Sequence, residues 1–145
     1  MHLIWENLLP NLILLWTGKF KGLDEGRESY HLGVGVWEAI GEATKASGST
    51  IPAAYATTRP LNIADDATGS TADSWSFWVL YLGPVLLKGC FSKYVYYKHF
   101  VRLIKLLRIC LQFEISKEEL LEIKEGFRNW VKTYERSVLF YLQQV

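Results

Sequence analysis

Apolar residues along most of the chain recur at helical spacing rather than in alternation, which predicts an all-α fold of about five helices around one core. The first helix runs from about Leu3 to Trp16 and stops at Thr17-Gly18, where glycine suits a helix C-terminus. A linker from Lys19 to Gly26 follows. The second helix, about Arg27 to Lys45, places Tyr30, Val34, Trp37, Ile40 and Thr44 near one face. Gly33, Gly35 and Gly41 weaken it, each by about 1 kcal/mol relative to alanine. From Ser47 to Ser70 the chain is rich in Ser, Thr, Gly, Ala and Pro, and Pro52 and Pro60 deny it a continuous helix. A loop of this length inside a compact domain tends to be functional or mobile.

The C-terminal half has the stronger signals. Thr71 can cap a helix from Ala72, with Asp73 in its first turn complementing the helix dipole. Gly83-Pro84 should kink that helix rather than end it, because apolar residues continue to Leu87. Gly89 then marks a turn and Ser92 can cap the next helix, Lys93 to Phe113. Tyr96, Phe100, Leu103, Leu107, Cys110 and Leu111 form its apolar side. Lys98, Arg102, Lys105 and Arg108 fall within about a third of the circumference at about 100° per residue, and no acid occurs from Lys93 to Gln112. Ser116 and Glu119 make a capping box, with Ile115 and Leu120 placed as its hydrophobic staple. Leu120, Ile123, Phe127, Trp130, Val131, Tyr134, Val138 and Tyr141 then share one narrow face of the last helix. A basic helix and an acidic-starting helix joined by a short turn predict an antiparallel pair. The expected organisation is a single helical domain or domain fragment over 1–145, with N-terminal helices in 1–46, a loop in 47–70 and a C-terminal bundle in 71–145.

Composition narrows the class. Half of the residues are hydrophobic and 14% aromatic, including 6 Trp, which excludes a disordered tail. With 16 Lys plus Arg against 15 Asp plus Glu, net charge alone points to no polyanionic partner. The 2 cysteines are too few for a disulfide-stapled secreted module, so a reduced compartment is expected. Leu3 to Trp16 is broken by Glu6, Asn7, Pro10 and Asn11, and Trp75 to Leu87 falls short of the about 20 residues a spanning helix needs. Both read as buried helices of a soluble protein, with no membrane partner.

Little chemistry emerges. His2, His31, His99, Cys90 and Cys110 are singletons without metal-ligand spacing, so no metal and no cofactor are expected. No nucleophile elbow, no Cys-His signature and no complete phosphate-binding glycine fingerprint occurs, so no small-molecule substrate is evident. Asp24-Glu25 and Asp65-Asp66 are adjacent loop acids of the kind that form solvated turns, and Asp73 already has a first-turn role. What stands out is the arc of Lys98, Arg102, Lys105 and Arg108, which can line up with a phosphate backbone. Tyr94 and Tyr97 flank it and can stack or donate hydrogen bonds. A solvated helix face, or cations paired with the neighbouring acidic helix, accounts for the same arc.

The stretches MHLIWENLLPNLILLW, FKGLDEG, VWEAIGEAT, TIP followed by RPLNIA, TADSWSFWVLYLGPVLL, YYKHFVRLIKLLRICLQFEIS and WVKTYE, in that order, resemble fungal transposase-domain proteins of the CACTA (En/Spm-like) and Kyakuja–Dileera–Zisupton kind. The resemblance runs from Met1 to about Glu135. It implies a helical region that interrupts a ribonuclease-H-like core whose acidic triad binds two divalent metals. In such relatives the pair matching Met1-His2 follows the earlier catalytic acids, and the last acid lies beyond this stretch. None of Asp24, Glu25, Asp65, Asp66 or Asp73 matches a triad position, so no catalytic residue is carried over. Relatives continue differently after Tyr134-Glu135, so the resemblance implies a fragment with an altered tail.

The expectation is therefore a non-catalytic transposase fragment, nuclear (or else cytoplasmic). It would brace a nuclease core and contact DNA weakly, without sequence preference. The alternative is a helical protein–protein interaction module, bound to the rest of a transposase core or to itself. An active nuclease would require metal-dependent cleavage by this chain alone.

Overall fold

A computed structural model of the chain describes residues 3–20, 28–52, 60–65 and 71–142, with side chains described up to 136. The architecture is all-α: five helices occur among the described residues, and no strand. Helix α1 opens with a π-helical turn, Leu3–Leu8, and continues as Leu9–Trp16. Helix α2 is Val34–Ser47. Helix α3 joins Ala72–Phe77, a π-helical turn Trp78–Leu82 and a last turn Gly83–Leu86. Helix α4 is Tyr94–Cys110 and helix α5 Lys117–Leu142. The chain divides into two compact units, Met1–Ser92 and Lys93–Val145.

The first unit is organised around buried indoles. Trp5, Trp16, Trp37, Trp75 and Trp78 are all buried, together with Tyr30, Leu9, Val79 and Leu87. Trp37 and Trp75 each meet Trp78 edge-on, at centroid separations of 6.2 and 6.3 Å, and Trp16 meets Phe91 at 5.3 Å. Edge-to-face contact suits the ring quadrupole and adds to the area buried. A buried indole N–H also needs an acceptor. Trp78 Nε1 donates to Thr44 Oγ1 at 3.0 Å, and that hydroxyl donates onward to Ile40 O at 2.8 Å. Thr44 is thereby satisfied although it is 1% exposed.

Both prolines inside helices sit just after a widened turn. Pro84 lacks an N–H and its ring would crowd the carbonyl four residues back. The helix absorbs this as the π turn Trp78–Leu82, where the Gly83 N–H reaches back to Trp78 O. The expected continuation through Gly83-Pro84 is thus present, with the irregularity placed one turn earlier. Pro10 follows the π turn Leu3–Leu8 in the same way.

Two helix ends in this unit follow the local sequence. At α1, Gly18 adopts φ 68°, its N–H reaches Leu15 O and the Lys19 N–H reaches Leu14 O, the paired bonds of a glycine C-terminus. At α3, Thr71 Oγ1 accepts from the Ser74 N–H at 3.3 Å, and Asp73 lies in the first turn.

Two expectations for this unit need correction. Residues 28–33 are not helical; α2 starts only after Gly33. The Leu32 N–H instead donates to Trp16 O, a carbonyl left over at the end of α1, while Tyr30 and Leu32 are buried. With glycine at 33 and 35, that tertiary bond outweighs a weak helical preference. Val34 accordingly falls in the first turn and is exposed, while Trp37, Ile40, Gly41 and Thr44 form the buried face. Ser92 does not cap α4: its hydroxyl donates to Ser29 O at 2.6 Å, and the cap position is Lys93.

The described part of the long loop lies over α2. Ile63 is buried, Asn62 Nδ2 donates to Glu42 Oε1 at 2.7 Å, and Asn62 Oδ1 accepts from the Ala64 N–H. A methyl group on Gly41 would overlap Asn62 and Ala64, so this glycine, costly to the helix, is what admits the loop.

The second unit is the pair α4 and α5, which pack on one another. His99 of α4 faces Trp130 of α5, and Leu106 further along faces Gly126. Numbers rising on one helix as they fall on the other make the pair antiparallel, as expected. A Cβ at Gly126 would overlap Leu106 Cδ2, so the helices approach closely there. The capping box is formed in both directions: the Ser116 N–H donates to Glu119 Oε2 at 2.8 Å and the Glu119 N–H to Ser116 Oγ at 3.1 Å. Its staple residues, Ile115 and Leu120, are both exposed.

The apolar faces differ in width from expectation. On α4 the buried set is Phe100, Leu103, Ile104, Leu106 and Leu107, whereas Leu111 is exposed. Among the described side chains of α5 only Trp130 is buried; Ile123, Phe127 and Tyr134 are half-buried, and Leu120 and Val131 are exposed. A 26-residue helix beside one of 17 meets its partner over part of its length and along a narrow arc. Val138 and Tyr141 lie outside the described side chains.

Candidate nucleic-acid interface

The arc on α4 is present as read. Lys98, Arg102, Lys105 and Arg108 are all exposed, on the side of the helix away from Phe100, Leu103 and Leu107. They span about 15 Å at about 1.5 Å per residue. Among the described residues no ion pair involves Lys98, Arg102 or Lys105. Two acids of α5, Glu119 and Glu125, are engaged locally. Glu125 pairs with Arg128 at 2.7 Å, and Glu119 closes the capping box, whose hydrogen bonds from Ser116 hold its carboxyl below the usual range.

An aromatic pair stands at the start of the arc. The rings of Tyr94 and Tyr97 are 5.5 Å apart and tilted by 32°, and Lys98 Nζ lies 5.5 Å from the Tyr94 centroid. Tyr94 is 57% exposed. The near-zero net charge of the chain is also unevenly divided. Residues 93–145 carry 10 Lys plus Arg against 6 Asp plus Glu, while residues 1–92 carry 6 against 9. The arc therefore belongs to a basic unit, which raises the potential that an anion would feel there.

Behind the arc, His99 joins the two helices. Its ring stacks on Trp130 at 4.3 Å and 16°, and Tyr134 lies against both rings, 5.7 Å from Trp130 and 6.2 Å from His99. His99 Nε2 lies 3.0 Å from Trp130 O and Trp130 Nε1 donates to His99 O at 2.9 Å, a reciprocal pair of bonds. Because a carbonyl only accepts, Nε2 carries the proton. Burial lowers the pKa of His99, the bond to Trp130 O opposes that, and the positive charge of Arg102 adds to the lowering. Burial likewise pushes the Tyr134 hydroxyl up. The residues alone left this lock unread: His99 was a singleton, and only the i, i+4 spacing of Trp130 and Tyr134 hinted at a shared face.

The remaining candidates for chemistry stay apart. His31 is engaged by Glu28, whose N–H reaches Nδ1 at 2.9 Å. Cys90 and Cys110 are free thiols, both raised in pKa by burial, the opposite of an activated nucleophile. Asp65 and Asp73 are exposed; His2, Asp24, Glu25 and Asp66 lie outside the described residues. Among the described residues no three His, Cys, Asp or Glu side chains converge as a metal site would need. None of the described helices is long and apolar enough to cross a membrane.

No family model, curated protein or solved structure matches the chain significantly.

Proposed function

We propose that this chain is a non-catalytic part of a transposable-element transposase, a helical scaffold that contacts the DNA backbone through Lys98, Arg102, Lys105 and Arg108. The observation that carries the DNA part is the exposed arc on α4, three of whose cations have no ion-pair partner among the described residues. Guanidinium and ammonium groups on a rigid helix can each neutralise a phosphate and release a counterion. No base edge is addressed by such a row, so binding is sequence-tolerant. The transposase part rests on the ordered sequence stretches alone, and with it a nuclear location and the remainder of a nuclease core as partner. The chain supplies no catalytic residue in this reading, and no cofactor.

Fluorescence anisotropy on a short duplex tests it. Four phosphate contacts give a log–log salt slope of roughly −3 to −4, or about 100-fold weaker binding between about 50 and 200 mM salt. The K98Q/R102Q/K105Q/R108Q variant is expected to lose both the affinity and most of the slope, with its far-UV circular dichroism unchanged. Binding indifferent to salt and to these substitutions removes DNA from the reading.

A second reading is a helical protein-interaction module. Its support is exposed apolar surface in the second unit, at Phe113, Leu120, Leu121 and Val131. Concentration-dependent oligomers in light scattering, together with no DNA affinity, would favour it.

A further inference from the structure

The arc on α4 does not end in a cation. At about 100° per residue Tyr94 falls inside the angular range of Lys98, Arg102, Lys105 and Arg108, one turn before Lys98 and about 6 Å further along the axis. It is more than half exposed, Tyr97 lies beside it, and Lys98 adds a positive charge near its ring. A phosphate-binding row thus runs directly into an aromatic platform.

That platform has little to offer a closed duplex. Inside paired DNA each base is covered on both faces by its neighbours, and an aromatic ring outside can contribute only a hydroxyl to a phosphate. An unpaired base has a free face. Stacking on an aromatic side chain is sequence-tolerant because every base has one, and a neighbouring cation supports it. The row of cations, about 15 Å long, is long enough to run beside several phosphates of one strand. A strand tracked along it would bring its next nucleotide to Tyr94. Resting on the DNA reading above, we propose that Tyr94, supported by Tyr97 and Lys98, is a stacking site for an unpaired base, and that DNA with a single-stranded stretch beside a duplex is the preferred ligand.

The test uses the full chain and two labelled probes, a blunt duplex of about 20 base pairs and the same duplex with an unpaired tail of about 10 thymidines. The tailed probe is expected to bind about tenfold more tightly, within the range of one stacked base. Y94A should bring the tailed probe down to the blunt level, whereas Y94F, which keeps the ring and loses the hydroxyl, should retain the preference. Equal binding of the two probes, or a tail preference that survives Y94A, overturns this inference. If blunt duplex still binds with the expected salt slope, the proposed function stands without it. Absence of salt-dependent binding to either probe overturns both.

Discussion

The two compact units solve the same problem, holding helices together, by different means. Five of the six tryptophans lie in the first unit, all of them buried, and its helices meet through edge-on indoles and the Trp78–Thr44 bond. The second unit has one tryptophan and relies on a single seam, the reciprocal His99–Trp130 bonds and the close approach at Gly126. Its outer face is left to cations. A unit that buries its aromatic surface has little of it left to present, whereas the helix pair keeps one side of α4 exposed, with Tyr94 and the four cations on it. The candidate binding surface falls on the second kind of unit for that reason.

That contrast can be broken most severely at Trp78. W78A removes a ring that meets two others and leaves the Thr44 hydroxyl without its donor, so it should cost about 3–5 kcal/mol. Urea unfolding checks this, with amide exchange in α2 and α3 expected to accelerate. A cost below about 1 kcal/mol would show that the indole cluster is not what holds the first unit.

The seam of the second unit is probed by G126A. Alanine favours the helix by about 1 kcal/mol, but here its methyl collides with Leu106. Net destabilisation of about 1–2 kcal/mol is expected in chemical denaturation, in the range of an overpacked contact. Introduced into an L106A background, G126A should cost less than it does in the original chain; an unchanged cost there would deny the contact its role.

The smallest effect is the one set by pH. His99 is held below its ordinary pKa of about 6.5 by burial, so the folded protein resists a proton that the unfolded chain accepts. Above about pH 7 both states are neutral there and stability is unaffected. As pH falls through about 6.5 the unfolded state binds more protons, and stability decreases. Thermal melts at about pH 7.5 and 5.5 should show that decrease, and H99Q should reduce it. A melt that rises on acidification, or a loss that H99Q leaves intact, would contradict the seam as described.

Local signals were the legible ones. Ser116-Glu119, Thr71 and Gly18 act within a few residues of themselves, and each makes the bond its type and spacing imply. The cationic arc was equally legible, because angular position on a regular helix follows from residue number. Burial was not. Leu120 and Val131 are apolar and lie at the edge of the apolar arc opposite Trp130, yet are exposed, because a helical face is covered only where a neighbour reaches it.

The helical character of the chain, several of its helix ends and the sharing of one side of α4 by four cations can all be read from residue order. Those properties depend on interactions within a turn or two of the chain. Packing between distant segments is what takes residues 28–33 out of the helix so that Leu32 can serve the end of α1, and what bonds Ser92 to Ser29. It also decided that Gly41 and Gly126, which look like helix-weakening residues, are points of close approach. His99, a lone histidine in the sequence, became the link between α4 and α5. Each of these depends on a partner distant in sequence, whose hydrogen bond or contact outweighs a local preference of about 1 kcal/mol.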